Sequence, residues 1–411
     1  HVDGARAVVV SSAVPRTHPE LERARQLGLP VIRRAEALAE ATAGGALVGI
    51  AGTHGKTSTT SLMAWLLESA GRDPSYMVGG IPVNFGHNFK IGEGDHFVIE
   101  GDEYNTAFFD RGPKFLHYRA DSLILNNIEF DHADIYDDLA SIIDAFRKAV
   151  ETMGSEDRVI ANGDDEHVGS LRGHTGAEWV SFGFSEGCDV RGRDLSFTPE
   201  GARFQVDWQG EPWAEFTTTM SGRHNVANAL ADLTVGRLLG LSAEELQVGL
   251  ESFRGIKRRM EVRGIERGVT VIDDFAHHPT AVETTLQGAK ESYPGRTVWA
   301  LFEPRSISAA RKEFEDAYAR SFEVADRVIV GPVFHRERFE TRYGLDKMMD
   351  VPAIVERLSK AGVPSRHLED FDEIVRTVAS EAEEGDVVIV MSSGAFGGIH
   401  PRILDRLREG R

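Results

Sequence analysis

Short apolar runs alternate along the chain with polar turns and with stretches where apolar positions return every three or four residues. Phe97–Ile99, Leu123–Leu125 and Val159–Ile160 are continuous apolar runs, the pattern of strands buried on both faces of a parallel sheet. Val48–Ala51 is another, followed by a glycine-rich turn and a predicted helix from Lys56 to Ala70, with Leu62, Met63, Trp65 and Leu66 on its buried face and Gly71 as its stop. Between 178 and 220 the character changes. Phe204, Val206 and Trp208 alternate with polar residues and Pro199-Glu200-Gly201 marks a turn, which predicts antiparallel hairpins. A helix is expected from Asn225 to Leu239. Strand–helix alternation resumes at Val269 and continues through a helix opened by Pro279, Val298–Phe302, a helix through Phe314, Val328–Val330, helices near 352–360 and 371–382, and Val387–Met391. That is the signature of a doubly wound α/β unit.

Ahead of these lie four short elements, Ala7–Val10, Pro19–Leu27, Pro30–Ile32 and Ala35–Ala41, too few to bury a core alone. They read as the tail of an α/β domain whose beginning is missing. The expected organisation is therefore an α/β chain in three parts: residues 1–46, 47–262 and 263–411, with polar, basic Arg254–Gly264 as a junction.

Composition narrows the partners. With 411 residues, 46 basic against 65 acidic, the net charge is −19, which argues against nucleic acid or an anionic membrane surface as a general partner. A small anionic ligand stays compatible, since a few cations and a helix N-terminus suffice to hold phosphate. Cys188 is the single cysteine, so no internal disulfide forms and a cytoplasmic location is expected. No apolar run approaches the roughly 20 residues of a membrane span, and no signal peptide is recognisable. The first residue is His1 rather than Met, so the N-terminus reads as incomplete. Oligomeric state is not legible.

The strongest chemical signal is Gly52-Thr53-His54-Gly55-Lys56-Thr57-Ser58, between a strand and a helix. Glycines let successive N–H groups turn towards phosphate, lysine adds a point charge, and the Thr57 hydroxyl is placed to ligate Mg²⁺. The general pattern wants glycine six residues before the lysine, where this chain has Ile50, so the loop is a variant. Two clusters end apolar strands: Glu100-Gly101-Asp102-Glu103 and Asn126-Asn127-Ile128-Glu129-Phe130-Asp131-His132. In parallel sheets that edge holds ligands, which makes Glu103 and, less conventionally for Mg²⁺, His132 candidate metal ligands. Asn225 and Asn228 are three apart on a helix. Spacing alone leaves open whether they meet a purine edge or Asn225 caps the helix.

Taken together, Gly52–Ser58, Glu100–Glu103, Asn127–His132, His224–Asn228, Arg258-Arg259 and Asp273-Asp274-Phe275-Ala276-His277-His278-Pro279 resemble, in order and spacing, the Mur ligases, over essentially the whole chain. The resemblance implies a three-domain architecture: a truncated N-terminal UDP-sugar domain, a central phosphate-loop ATPase domain with added antiparallel strands, and a C-terminal Rossmann-like domain for the incoming amine. It implies ATP and Mg²⁺ as cofactors, with UDP-N-acetylmuramate and a peptide or amino-acid acceptor as partners. Lys56, Glu103, His132, Arg259 and Asp274 fall on the family's shared functional positions, Thr57, Glu103 and His132 around the metal, and Asn225 and Asn228 at adenine. Arg259 would approach the terminal phosphate and Asp274 the nucleotide.

Within the family, Gly79–Gly86, Glu103–Asp110, Phe302–Ser306 and Met391–His400 look most like the murein peptide ligases, which attach L-Ala-γ-D-Glu-meso-diaminopimelate. Val8–Pro15 and Pro30–Glu36 resemble the alanine-adding members more. His277 and His278 are candidates for substrate contact or proton removal, with capping of the helix at Pro279 an equal alternative. Arg305 and Ser306 are candidates for a peptide carboxylate. A folylpolyglutamate synthetase would lack the segment 1–46 and the Asp274–Pro279 motif. A non-catalytic nucleotide binder would have no use for the acceptor-side residues.

Overall fold

The computed structural model describes residues 2–11, 14–42, 44–102, 105–107, 110–130, 135–136, 138–306, 309–334 and 336–410, with backbone alone at 105–107, 110–112 and 342. The chain forms two compact units. One comprises His1–Leu195, Arg203–Thr218 and Asn225–Arg254, the other Ser196–Ala202, Thr219–His224 and Gly255–Arg411.

The first unit opens with β1 (Val8–Val10), α1 (Pro19–Gln26), β2 (Val31–Arg33) and α2 (Arg34–Thr42). β1 and β2 pair in parallel, Val8 opposite Val31. α1 starts cleanly because Pro19 opens it, His18 Nδ1 accepts from the Glu20 N–H, and Glu20 and Glu22 sit in the first turn. Its buried residues are Leu21 and Ala24.

β3 (Ala46–Ala51), α3 (Lys56–Ser69), β4 (Ser75–Met77), β5 (Phe89–Lys90), β6 (His96–Glu100), β7 (Asn105–Ala107), β8 (Asp110–Pro113) and β9 (Ser122–Leu125) follow. Next come α4 (Leu139–Glu151), β10 (Arg158–Asn162), α5 (Glu166–Gly169), β11 (Glu178–Gly183), β12 (Val190–Thr198), β13 (Gly201–Trp208), β14 (Glu211–Thr218), α6 (Arg223–Leu238) and α7 (Ala243–Ser252). Ten strands form one sheet in the order β14-β13-β12-β11-β10-β9-β3-β6-β4-β5. β3 lies between β6 and β9, parallel to both, with Ile50 opposite Glu100 and Ala51 opposite Leu125. The apolar runs are buried as their pattern requires: Ile124 and Leu125, Val159 and Ile160 are all fully covered.

Two local expectations change. β11 pairs in parallel with β10, so the hairpins begin only with β12. The β13–β14 turn holds both Gln209 (φ 51°) and Gly210 (φ 84°) in the left-handed region, the two-residue turn whose twist matches antiparallel strands. α6 begins at Arg223 rather than Asn225. Asn225 therefore sits inside the helix and does not cap it.

In the second unit, β15 (Glu261–Glu266), β16 (Val269–Asp274), α8 (Pro279–Ser292), β17 (Val298–Phe302), α9 (Glu315–Phe322), β18 (Arg327–Val330), α10 (Arg336–Tyr343), α11 (Val351–Lys360), β19 (Ser365–His367), α12 (Phe371–Glu381), β20 (Val387–Met391) and α13 (Ile399–Glu409) succeed one another. The sheet runs β15-β16-β20-β17-β18-β19. β15 is antiparallel to β16 and the other pairs are parallel. Alternate residues of each strand feed two cores. Ile272, Ala300, Phe302, Val328 and Ile389 pack with Leu286, Tyr318 and Ile354, while Val271, Trp299, Leu301, Ile329 and Val388 pack with Ile374, Ile399 and Ile403. The antiparallel edge strand β15 was not anticipated, because Val262 and Ile265 are its exposed apolar residues. Phe314, expected inside a helix, is the last residue of a 3-10 turn, Lys312–Phe314, that runs directly into α9. Among the described residues no helix is long and apolar enough to cross a membrane.

Candidate active site

The loop between β3 and α3 is the centre of the first unit's site. Gly52 (φ 141°) and Gly55 (φ 82°) take conformations that side chains rarely adopt. A Cβ at Gly55 would also stand 2.6 Å from Asn228 Oδ1, so the loop can pass α6 only as glycine. Lys56 is buried and its ammonium donates to the carbonyls of Gly52 (2.6 Å) and Thr53 (3.1 Å). The far side is fastened by the segment after β9. His54 N–H donates to Asn127 Oδ1 (2.7 Å), Thr53 N–H to the Asn127 carbonyl (3.0 Å), and Glu129 N–H to Thr53 Oγ1 (2.9 Å). Asn126 donates its amide to Thr59 Oγ1 at 3.0 Å. His54 Nε2 lies 3.3 Å from the Glu129 carboxylate.

The carboxylate that meets this loop is Glu100, the last residue of β6. Thr57 Oγ1 donates to Glu100 Oε1 at 2.9 Å, and Gly79 N–H donates to Oε2 at 2.6 Å. Burial, with Asp102 adding to it, raises the Glu100 pKa; Lys56 and the two donors oppose that. The expected metal ligands Glu103 and His132 lie outside the described residues. Glu100 was legible as the first member of the cluster ending an apolar strand, but the residue types alone did not separate it from Glu103. A hydroxyl and a carboxylate oxygen side by side suit Mg²⁺, which prefers oxygen ligands, and a divalent cation would offset the cost of burying the Glu100 charge.

Asn225 and Asn228 are buried on α6, Asn228 Nδ2 within 3.5 Å of Asn225 Oδ1. One further turn along lies Asp232, fully buried, with neither carboxylate oxygen hydrogen-bonded among the described residues. Burial raises its pKa well above the ordinary value. On the other side of Glu100 a pocket of about 70 Å³ is lined by Arg34, Ala35, Gly79, Glu100, Lys114 and Tyr118, among others. Lys114 Nζ is 2.7 Å from Asp102 Oδ2 there.

The second unit gathers another set at the carboxyl ends of its parallel strands. Asp274 ends β16. Its Oδ2 accepts from Met260 N–H (2.8 Å), and its Oδ1 from Ala276 N–H (2.7 Å) and Thr285 Oγ1 (3.3 Å). Burial raises its pKa, and nearby Arg259 is the first of the groups that oppose the rise. The guanidinium groups of Arg258 and Arg259 each lie 5.1 Å from the Phe275 ring. His224 is brought to the same neighbourhood and held at a pKa of about 4, first by burial and then by Arg259. His277 Nδ1 faces the Phe275 carbonyl at 3.1 Å, and the Tyr318 hydroxyl donates to the His277 carbonyl. His278 occupies the residue before α8 without a side-chain capping bond, its ring edge-on to Phe314.

Beyond β17, Glu303 is fully buried and accepts from Ser392 Oγ at 2.6 Å; Arg305 Nη1 is 3.4 Å from the same Oε2. The Arg305 guanidinium stacks 3.6 Å from the Phe334 ring. Ser306 Oγ accepts from Ala309 N–H at 2.9 Å. Sequence reasoning named Arg305 and Ser306 but passed over Glu303, whose position directly after an apolar strand was the available signal. Thus Gly52–Ser58, Asn225 and Asn228 assemble in the first unit, and Arg259, Asp274, His277, His278, Arg305 and Ser306 in the second.

Three family models match the chain: "Mur ligase family, catalytic domain" over residues 1–45, "Mur ligase middle domain" over 50–236, and "Mur ligase, glutamate ligase domain" over 258–394. A UDP-N-acetylmuramate–L-alanine ligase of Caldanaerobacter subterraneus subsp. tengcongensis is 33% identical over 99% of this chain and 86% of its own length. The UDP-N-acetylmuramate–L-alanyl-γ-D-glutamyl-meso-2,6-diaminoheptandioate ligase of Escherichia coli K12 is 34% identical over 98% of this chain and 85% of its own. Among solved structures, a murein peptide ligase from Psychrobacter arcticus superposes with a TM-score of 0.69 at 31% identity, covering 99% of this chain and 87% of that one. Of eight similar proteins, six bear the alanine-ligase name and two the tripeptide-ligase name. The likeness is therefore shared between the two activities and not confined to the tripeptide-adding members towards which the sequence motifs lean.

Proposed function

The chain belongs to the Mur ligases, ATP-dependent enzymes that form amide bonds in peptidoglycan biosynthesis, and on that premise we propose that it joins the lactyl carboxylate of UDP-N-acetylmuramate to the amine of an L-alanyl acceptor. Both names borne by its relatives share that donor and that amine. The observation that carries the reading is Glu100: one oxygen meets the Thr57 hydroxyl of the phosphate loop, and the same residue lines the pocket that holds Arg34 and Lys114. The phosphate loop and a pocket in which Arg34 could meet a carboxylate thus share one wall, Lys114 there being paired with Asp102.

Chemically, the carboxylate oxygen attacks the γ-phosphorus of ATP, ADP leaves, and an acyl phosphate results. The acceptor ammonium first gives up a proton to solvent, the resulting amine attacks the acyl carbon and loses a second proton, and inorganic phosphate departs. The obstacle is bringing a carboxylate to a polyanion. Lys56 and the loop N–H groups would neutralise the phosphates by fixed placement, the larger part of catalysis in such transfers. Thr57 and Glu100 would hold Mg²⁺, which supplies Lewis-acid polarisation of the phosphoryl oxygens. Arg259 and Asp274 are proposed on the nucleotide and Asn225 and Asn228 at adenine. Glu103 and His132 remain proposed metal ligands from their sequence positions. Arg305 and Ser306 are proposed to receive an acceptor carboxylate, with His277 and His278 nearby on the substrate.

Which acceptor follows the L-alanyl amine is the finer question. Six of the eight relatives carry the free-alanine name, and that acceptor comes first. The tripeptide is the second reading, favoured by the Phe302–Ser306 and Met391–His400 motifs and the likeness to the Escherichia coli and Psychrobacter proteins. Purified protein with Mg-ATP, UDP-N-acetylmuramate and either L-alanine or the tripeptide should release phosphate and yield an amide of the corresponding mass. Phosphate release indifferent to UDP-N-acetylmuramate and to both acceptors would overturn the assignment.

A further inference from the structure

Glu303 is an unusual place for a carboxylate. It follows β17 at the ligand-bearing edge of the second sheet, is fully buried, and its Oε1 has no hydrogen-bond partner among the described residues. Its other oxygen is committed: Ser392 Oγ donates at 2.6 Å and Arg305 Nη1 stands at 3.4 Å. A buried acceptor oxygen left unpaired is costly, on the order of 1–3 kcal/mol, and more when it belongs to a charged group. Such an atom calls for a donor that arrives with a ligand.

The surroundings are built rather than incidental. Ser392 is fixed by three bonds: its N–H donates to the Asp274 carbonyl at 3.1 Å, its Oγ accepts from Gly394 N–H at 2.9 Å, and its carbonyl accepts from Arg258 at 2.6 Å. Arg305 lies so close to Gly394 that a Cβ there would fall 1.8 Å from Nε. Phe334 supports the guanidinium from its other face. An anchored anion with a free oxygen thus stands beside an anchored, partly exposed cation.

We propose that Glu303 and Arg305 form a clamp for an α-amino-acid zwitterion, an ammonium and a carboxylate on one carbon, and so set acceptor specificity. The ammonium meets Oε1 of Glu303 and the carboxylate meets Arg305, which moves outward from its 3.4 Å contact to admit the ligand. This rests on the ligase reading above and extends it by naming the group recognised. Free L-alanine presents that group, and so does the distal end of a diaminopimelate residue in a peptide.

The test is acceptor kinetics with the full chain at saturating Mg-ATP and UDP-N-acetylmuramate. Glu303→Gln should raise the acceptor KM by about 30-fold or more, the loss expected on truncating one partner of a buried charge pair. The KM for ATP should not move, and Glu303→Asp should recover part of the loss. To separate the sources, L-alanine is compared with L-alaninamide, and the diaminopimelate tripeptide with its L-lysine counterpart. The pair in which loss of the carboxylate weakens binding in the wild type, but no further in Arg305→Ala, identifies the group held. If Glu303→Gln instead lowers the melting temperature and kcat with every KM unchanged, Glu303 is structural and the proposal is overturned. Wild-type protein that turns over with neither acceptor would refute the ligase reading itself.

Discussion

Lys56, Glu100 and Asp232 are three buried or half-buried ionisable groups with different fates. Lys56 is satisfied by loop carbonyls and stands where phosphate charge would gather. Lys56→Ala should lower ligation by about 10²–10³ or more while circular dichroism and melting temperature stay near wild type; near-normal turnover would remove the loop from the mechanism. Glu100→Gln keeps the shape but not the charge beside Thr57, so the Mg²⁺ concentration for half-maximal activity should rise at least about tenfold, in the range seen when groups supporting a metal are lost. An unchanged Mg²⁺ titration would place the metal elsewhere. Asp232 has no hydrogen-bond partner among the described residues, and burial raises its pKa well above the ordinary value. The folded protein therefore keeps that proton above the ordinary carboxylate value, where the unfolded chain has released it. Stability contributed by this group falls as pH rises through that window, by at most about 1.4 kcal/mol per pH unit. Asp232→Asn should abolish that slope, so urea melts at pH 5 and 8 should favour the variant increasingly at the higher pH. Identical slopes in the two proteins would refute it.

Among elements, strand interiors were the most legible part of the sequence. Leu123–Leu125 and Val387–Met391 declare themselves because both faces of a parallel strand are covered, which leaves no polar position to confuse the pattern. β15 escaped because an exposed edge strand with a glycine at 264 carries neither alternation nor a continuous run. The start of α6 was misplaced because Arg223 and His224 carry no apolar signal, and their helical state depends on what they pack against. The phosphate loop was legible from its residue types, yet its neighbour was not: only the fold brings Glu100 to Thr57, across 43 residues. The close passage of the loop by α6 yields a test at this scale. Gly55→Ala places a Cβ 2.6 Å from Asn228 Oδ1 and asks a non-glycine residue to hold φ 82°, so stability should fall by about 1–3 kcal/mol and nucleotide binding should weaken. Unaltered ATP affinity by calorimetry would show that α6 does not shape the loop.

At the scale of the molecule, the net charge of −19 works against compactness through self-repulsion, while the two nucleotide ligands proposed here, ATP and UDP-N-acetylmuramate, are themselves anions. Raising salt from about 10 to 150 mM shortens the screening length from roughly 30 to 8 Å, and the melting temperature should increase over that range. A melting temperature that falls with salt would mean that local ion pairs outweigh the net repulsion. The α/β class, with hairpins set between two strand–helix regions, was readable from strand–helix rhythm and turn chemistry. Which strand ends stand side by side within each sheet, Glu100 beside Thr57 and Glu303 beside Ser392, was not, because sheet order sets those distances and leaves no mark on local sequence.

Lys56 also bears on which anions the loop can hold. Its ammonium is already shared between the Gly52 and Thr53 carbonyls, so the turn carries an internal stand-in for the nucleotide's negative charge. An incoming triphosphate must evict that stand-in before it can be held. A monovalent anion offers less charge in exchange than a polyphosphate does, so the turn is expected to hold it less firmly.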